Sequence, residues 1–257
     1  MLLAIDIGNT NITLGVWDGR VWQREWRLHT ARERTADEFG ILLSGLLQEA
    51  QLDQAISGVV LASVVPALTG TFQKLCQQVL RKEALVVNAQ TDTGIQIRTD
   101  NPAEVGADRI VNAVAAYHLF QGPCIVIDMG TATTFDVISA TGELLGVVIA
   151  PGLRLAADAL IDRAAQLSQV PLQAPPQATG RNTIHAMQSG LIFGYVSLIE
   201  GMIQRLLQEH PDKAQKINII GTGGLIKLIT PHTTIIDHVD PWLTLTGLRV
   251  IAERVNL

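Results

Sequence analysis

Two short stretches decide how this chain folds: Asp6-Ile7-Gly8-Asn9-Thr10 and, 122 residues later, Asp128-Met129-Gly130-Thr131-Ala132. Each ends a short apolar strand, Leu2–Asp6 in one case and Ile125–Asp128 in the other, and each is followed by a turn of glycine and small polar residues. Outward from the first, Ile12–Trp17 resumes the apolar pattern, and Asp18-Gly19 is a hairpin signal before a third strand, Val21–Leu28. Phe39, Leu42, Leu43, Leu46 and Leu47 then recur at helical spacing over Thr35–Gln51. A strand Val59–Val64, a helix Pro66–Arg81, a strand Leu85–Val87 and a helix Pro102–Leu119 complete the order β-β-β-α-β-α-β-α.

Outward from the second stretch the same order returns. Phe135–Ser139 follows, then a turn at Thr141-Gly142, a strand Leu144–Ala150, and a helix opened by Pro151-Gly152 and running through Leu167. Ile217–Ile220 is a strand, Gly223–Ile229 a short helix, Thr234–Val239 a strand and Pro241–Val255 a closing helix. One insertion interrupts it: a Pro/Gln/Gly-rich loop, Pro171–Arg181, and a long helix, Thr183–Glu209. A tandem duplication of a mixed α/β unit predicts two similar domains, residues 1–118 and 119–257, with a ligand cleft between them.

Composition narrows the function classes. The 257 residues are 47% apolar and 17% charged with a mean hydropathy of +0.27, which excludes intrinsic disorder. The longest apolar runs, such as Val59–Ala62 and Cys124–Ile127, are far below the ~18 residues of a bilayer span, so no membrane partner is expected. Asp6 follows Met1–Ile5 directly, with no basic segment, and no signal peptide is readable; a cytoplasmic location is the expectation. A net charge of −5 with scattered Lys and Arg argues against a nucleic-acid partner held through phosphate neutralisation. Cys76 and Cys124 lack CxxC spacing and the six histidines lack an HxxxH pair, so no structural zinc or disulfide framework is predicted.

The chemistry concentrates in four segments. In the turn Asp6–Asn11, glycine permits a tight reversal, and successive backbone N–H groups form a concave anion site to which Asn9, Thr10, Asn11 and Thr13 add donors. Asp6 would repel a bare phosphate, so its presence implies a bridging cation such as Mg²⁺; the alternative is a β-turn in which Asn and Gly only form the bend. Asp128 invites the same comparison, its alternative being a helix cap; Thr131, Thr133 and Thr134 offer hydroxyls to phosphate or metal, or else serve strand propensity. Asp136, in mid-strand, makes either a structural hydrogen bond or a site contact. In Asn101–Arg109, Asp108 is placed to accept a proton from a substrate hydroxyl and Arg109 to grip a carboxylate or phosphate, or the two form an ordinary exposed pair. Gly221-Thr222-Gly223-Gly224 lets a ring or phosphate approach the backbone, or serves close helix–strand packing; neither GxGxxG nor GxxxxGK[ST] occurs.

Together DIGNTN (Asp6–Asn11), NPAEVGADR (Asn101–Arg109), DMGTATTFD (Asp128–Asp136), Pro151-Gly152, Arg181-Asn182-Thr183, GTGG (Gly221–Gly224) and LTLTGL (Leu243–Leu248) make the chain similar, over nearly its full length, to type III pantothenate kinases of the actin and sugar-kinase superfamily. The resemblance implies an α/β fold of two duplicated ribonuclease H-like domains, βββαβαβα each, with an inter-domain cleft. It implies phosphorylation of pantothenate by ATP, the first step towards coenzyme A, by direct transfer of the γ-phosphoryl group. It assigns Asp6, Ile7, Gly8, Asn9, Thr10, Asn11, Ile12, Thr13 and Thr131 to ATP, with Mg²⁺ at Asp6, and K⁺ or NH₄⁺ to Asp128. Thr99, Gly106, Ala107, Asp108, Arg109 and Thr183 fall to pantothenate, with Asp108 the proton acceptor, and a homodimer is implied.

The pattern is broken at three points. Thr99 stands where the family commonly has Tyr two positions before Asn-Pro, Gly146-Val147 replaces Gly-Gly ahead of the Pro-Gly turn, and aromatics are only 4% of the chain. Few rings to sandwich adenine imply weak nucleotide affinity. The rival readings are another small-molecule kinase or phosphatase on this scaffold and a non-catalytic relative acting as a regulatory accessory factor.

Overall fold

The computed structural model describes residues 1–164 and 167–257. The chain divides into two compact units: Met1–Leu119 together with Trp242–Leu257, and Phe120–Pro241.

In the first unit, β1 (Leu2–Ile7), β2 (Asn11–Trp17), β3 (Trp22–His29), β4 (Gly58–Ser63) and β5 (Ala84–Val86) form a sheet in the order β3-β2-β1-β4-β5. The β1-β2 and β2-β3 pairs are antiparallel, and β1-β4 and β4-β5 are parallel. Helix α1 (Ala36–Glu49) starts where Thr35 and Glu38 close a capping box, each satisfying the other's backbone N–H. Helix α2 (Pro66–Leu75) has Pro66 in its first turn and passes into a π-helical turn, Cys76–Leu80, ended by Arg81 in a left-handed conformation. The apolar face of β1 (Leu3, Ile5, Ile7) packs under α1 and α2 with Phe39, Leu43, Leu68 and Phe72.

The opposite face of β1 carries Leu2 and Ala4 against α3 (Ala107–Phe120) and α6 (Leu243–Arg254). By strand alternation Asp6 shares this face. The closing helix, expected with the second half of the chain, therefore packs in the first unit: Leu245, Leu248 and Ile251 meet Val60, Ala62 and Val111. Gly247 makes that crossing possible, since a Cβ there would lie 2.0 Å from the Val111 carbonyl oxygen. Gly247→Ala should lower unfolding free energy by about 1–3 kcal/mol or more through overpacking, read as a reduced urea midpoint at unchanged slope.

A two-residue strand β6 (Gln96–Ile97) precedes a single 3₁₀ turn, Pro102–Glu104. The sequence predicts one helix from Pro102; instead Val105 is extended (φ −70, ψ 122) and α3 begins at Ala107. Asp108 thus stands in the first turn of α3.

In the second unit β7 (Cys124–Met129), β8 (Ala132–Ile138), β9 (Glu143–Pro151), β10 (Asn218–Thr222) and β11 (His238–Val239) run in the order β11-β10-β7-β8-β9. The β7-β8 and β8-β9 pairs are antiparallel and β7-β10 and β10-β11 parallel, so this is the first sheet's connectivity repeated. The duplication legible in the sequence is a duplication of topology. The expected strand Thr234–Val239 shrinks to β11, and the expected helix Gly223–Ile229 to a 3₁₀ turn, Ile226–Leu228. Helix α4 (Leu153–Arg163) ends before the expected Leu167; residues 165 and 166 of that span lie outside the described residues.

Helix α5 (Thr183–Glu209) has the predicted bounds and is capped by Asn182, which accepts from the His185 N–H at 2.9 Å. Among the described residues it is the one helix long and apolar enough to cross a membrane, yet it buries Met187, Leu191, Ile192, Tyr195, Val196, Ile199 and Ile203 in this unit's core. Both cysteines are buried, and burial pushes each thiol up to about 12, leaving them poor nucleophiles.

Candidate functional site

Both strand-end aspartates occupy the same place in their sheets. Asp6 is the penultimate residue of β1, opposite Thr13 on β2 and Ala62 on β4; Asp128 is the penultimate residue of β7, opposite Thr134 on β8 and Thr222 on β10. Each lies at the carboxyl end of a central strand with a parallel neighbour, where α/β sheets bind ligands. The turn after Asp128 is one residue shorter than the turn after Asp6, so beyond the turns Thr134 is the counterpart of Thr13.

In the first unit the turn closes on itself by a Gly8 N–H to Asn11 carbonyl bond of 3.0 Å, and Asn9, Thr10 and Asn11 are exposed. Ile7 and Ile12 are fully buried core residues, so their contribution to a ligand is confined to the backbone. At the end of β4 the Val64 N–H donates to the Ile7 carbonyl at 3.0 Å, and Val64 Cγ1 lies 3.4 Å from where a Gly106 Cβ would be. Val64 thus joins the Asp6 turn to the segment that opens α3, and Asp6 and Ala107 share one face of the sheet.

Gly106 gives the carboxylate room there: a Cβ would sit 2.6 Å from Asp108 Oδ1, so the Asp108 side chain would have to shift. The Asp108 carboxylate accepts from the Arg109 N–H at 2.8 Å through Oδ1 and from Arg109 Nη2 at 2.9 Å through Oδ2. Arg109 is buried and Asp108 half-buried (side chains 10% and 26% exposed), so the pair is not the ordinary exposed one. The guanidinium fixes one carboxylate orientation while leaving oxygen lone pairs available. Thr99 Oγ1 is buried and has no hydrogen-bond partner among the described residues. A hollow of about 410 Å³ lies beside this segment, walled by Ser63, Val64, Thr69, Asn88, Gln90 and Ala103–Ala107; Asp108 and Arg109 are not in its wall. Ser63 and Thr69, joined at 3.0 Å, were missed by sequence reasoning; the signal available was the strand-to-helix junction at Pro66.

In the second unit small residues crowd around Asp128. Gly223, at φ +89, comes so near that a Cβ would lie 2.5 Å from Asp128 Oδ1 and 2.6 Å from the Met129 nitrogen. Gly152, at the start of α4, presses against the Thr131 carbonyl, and Tyr195 of α5 donates to the Pro151 carbonyl at 2.8 Å. Asp128, Thr134 and the fully buried Asp136 alternate onto one sheet face, whereas Thr133 points to the other with Phe135. The Thr133 hydroxyl is buried without a hydrogen-bond partner among the described residues, and Thr131 is exposed in the turn. Thr183 is exposed in the first turn of α5.

Around both aspartates the side-chain donors are carboxylates, hydroxyls and amides, the hard oxygen chemistry that suits Mg²⁺ and K⁺ rather than a soft metal. Among the described residues no group of three His, Cys, Asp or Glu could hold an ion unaided, so a divalent cation here would share its coordination with substrate oxygens.

The family model for type III pantothenate kinase matches residues 2–205. A type III pantothenate kinase of Moorella thermoacetica is 50% identical over 255 residues, 99% of each chain, and one of Roseiflexus castenholzii is 50% identical over 254 residues, 98% of each. Among solved structures, the inorganic polyphosphate/ATP-glucomannokinase of an Arthrobacter species aligns at a TM-score of 0.50 and 15% identity, over 99% of this chain and 98% of that one. The activator of the 2-hydroxyisocaproyl-CoA dehydratase from Clostridium difficile, solved with ADPNP, aligns at 0.57 and 11% identity, over 99% and 96%. These likenesses show the fold alone: two ribonuclease H-like α/β units.

Proposed function

The chain belongs to the type III pantothenate kinase family and phosphorylates pantothenate with ATP on the way to coenzyme A, and on that premise we propose which of its residues carry the reaction. The observation that carries the assignment is the placement of Asp6 and Asp128 at equivalent strand ends, each followed by a glycine turn. Residues 1–118 supply the ATP-phosphate domain, with Asp6, Gly8, Asn9, Thr10, Asn11 and Thr13 holding the phosphates and Mg²⁺, and the backbone of Ile7 and Ile12 shaping the turn. Residues 119–257 supply the second domain, with Thr131 at ATP and Asp128 at K⁺ or NH₄⁺; the packing of α6 in the first unit shifts that boundary for its last sixteen residues. When bound, the cations offset the phosphate charge that gathers during transfer.

Asp108 accepts the proton of the pantothenate primary hydroxyl, held in line by Arg109, while Gly106 and Ala107 present the backbone of the first turn of α3. The orphaned hydroxyl of Thr99 supports a pantothenate contact at the position of the family tyrosine. Thr183 completes the assignment from the start of α5. The transition state for such transfer is loose, so positioning and charge neutralisation supply most of the rate.

We place the enzyme in the cytoplasm as a homodimer. The exposed side of α5 carries Ala186, Gly190, Gly194 and Ser197, with open space where Cβ atoms of the two glycines would stand, and this supports close approach of a second copy. Pantothenate-dependent release of ADP from ATP tests the reading; ADP release indifferent to pantothenate would overturn it. Activity should be poor in Na⁺ buffer and recover in K⁺ or NH₄⁺. Equal rates in all three would remove the monovalent cation from Asp128.

A further inference from the structure

An anion-binding turn must aim its N–H groups at the ligand and keep its oxygens away. The turn after Asp6 meets the second condition through residues that lie outside it. Thr30, the residue after β3, donates its hydroxyl to the Gly8 carbonyl at 2.7 Å and its N–H to the Thr10 carbonyl at 3.0 Å. Arg32 donates through Nη2 to Asn9 Oδ1 at 3.0 Å. A guanidinium can only donate, so it fixes the Asn9 amide with its oxygen turned back and its NH₂ left as a donor. With the Asn11 carbonyl taken by the Gly8 N–H, four oxygens of the turn are occupied by the protein. Thr30 is 7% exposed, so its hydroxyl is built into the turn.

The second repeat shows that the grip is not simply a requirement of the fold. The residue after β9, counterpart of Thr30, is Gly152. It has no side chain to donate, and it meets its own turn by backbone approach alone, a Cβ there falling 2.1 Å from the Thr131 carbonyl oxygen. One copy of the duplicated unit has a hydroxyl clamp where the other has a bare contact.

We propose that Thr30 and Arg32 are positioning residues for the phosphoryl donor: they hold the oxygens of the Asp6–Asn11 turn away from the triphosphate and so set the turn's polarity. This rests on the assignment of the ATP phosphates to that turn. Thr30→Val keeps the shape and removes the hydroxyl; it should raise KM for ATP roughly five- to tenfold, the worth of a buried hydrogen bond whose acceptor is left bare. Arg32→Gln should raise it a few-fold. KM for pantothenate and inhibition by adenosine, which brings no phosphates to the turn, should be unchanged, and Thr30→Ser should restore the ATP value.

An unchanged ATP KM in both Thr30→Val and Arg32→Gln would overturn the proposal. So would a Thr30→Val loss shared equally by ATP, adenosine and pantothenate, which is the mark of a merely structural role. Asp6→Asn separates the two levels. If it weakens ATP while the Thr30 and Arg32 variants do not, the turn binds phosphate and the brace is wrong. If it too leaves ATP untouched, the turn assignment falls and the brace with it.

Discussion

Asp108→Asn should lower turnover by roughly 10²–10⁴-fold, about 3–5 kcal/mol of transition-state stabilisation, while the affinity for ATP stays nearly unchanged. The asparagine is isosteric and its carbonyl can still accept from the Arg109 N–H that now binds Oδ1 at 2.8 Å. What is lost is the negative charge and with it the ability to take a proton from the acceptor hydroxyl. The Arg109 guanidinium, 10% exposed and paired with Oδ2 at 2.9 Å, would keep a neutral partner in place of a charged one. Some loss of stability should accompany the change, so melting temperature must be read beside the rate. Near-normal turnover in a folded Asp108→Asn protein would remove Asp108 from the role of proton acceptor.

Gly223→Ala should damage both the packing of the second unit and the Asp128 site. Its φ of +89 is strained for an alanine, costing about 1–2 kcal/mol. The added Cβ would also overlap Asp128 Oδ1 at 2.5 Å and the Met129 nitrogen at 2.6 Å, a packing conflict worth about 1–3 kcal/mol more. Relief must come from moving the Asp128 carboxylate or the end of β7, so the requirement for K⁺ and the KM for ATP should each rise by about tenfold. Gly224→Ala is the matched comparison for stability: a methyl there would have no atom within 4 Å and the backbone φ is not positive, so it should melt close to the parent. Equal melting temperatures and cation requirements for Gly223→Ala and the parent would mean that the close approach of Gly223 to Asp128 has no role.

Much of this fold is legible in the residues, for identifiable reasons. Asp-x-Gly at the end of an apolar run is a local signal, and both copies stand at the predicted strand ends. Thr35 with Glu38, and Asn182 ahead of Thr183, are local caps, and α1 and α5 start where they indicate. The break before α3 was hidden because Pro102 and Glu104 are good first-turn residues, and they do open a turn. The helix proper waits for Gly106, whose bare backbone lets the Asp108 side chain fold against it. The destination of α6 was hidden for another reason. Periodicity marks Leu245, Leu248 and Ile251 as one apolar face without saying which sheet that face meets.

The candidate site divides in the same way. Asp6, Gly106, Asp108 and Asp128 are carried by short motifs, whereas Thr30, Arg32, Ser63 and Thr69 reach the site only through tertiary contacts and carry no local signature. The three threonines of Thr131–Thr134 looked equivalent in the sequence, and the pleat separates them. Thr134 faces Asp128 across the ladder, Thr133 is turned to the core, and Thr131 is exposed in the turn. Arg109, read as a grip for substrate, first holds the neighbouring carboxylate.

A crystal structure with a non-hydrolysable ATP analogue, Mg²⁺ and pantothenate is the decisive test of these assignments. The triphosphate should be seated on the Gly8–Asn11 turn, the metal beside Asp6, and the pantothenate hydroxyl within hydrogen-bond reach of Asp108. A triphosphate lodged away from that turn, or a hydroxyl out of reach of the Asp108 carboxylate, would contradict them.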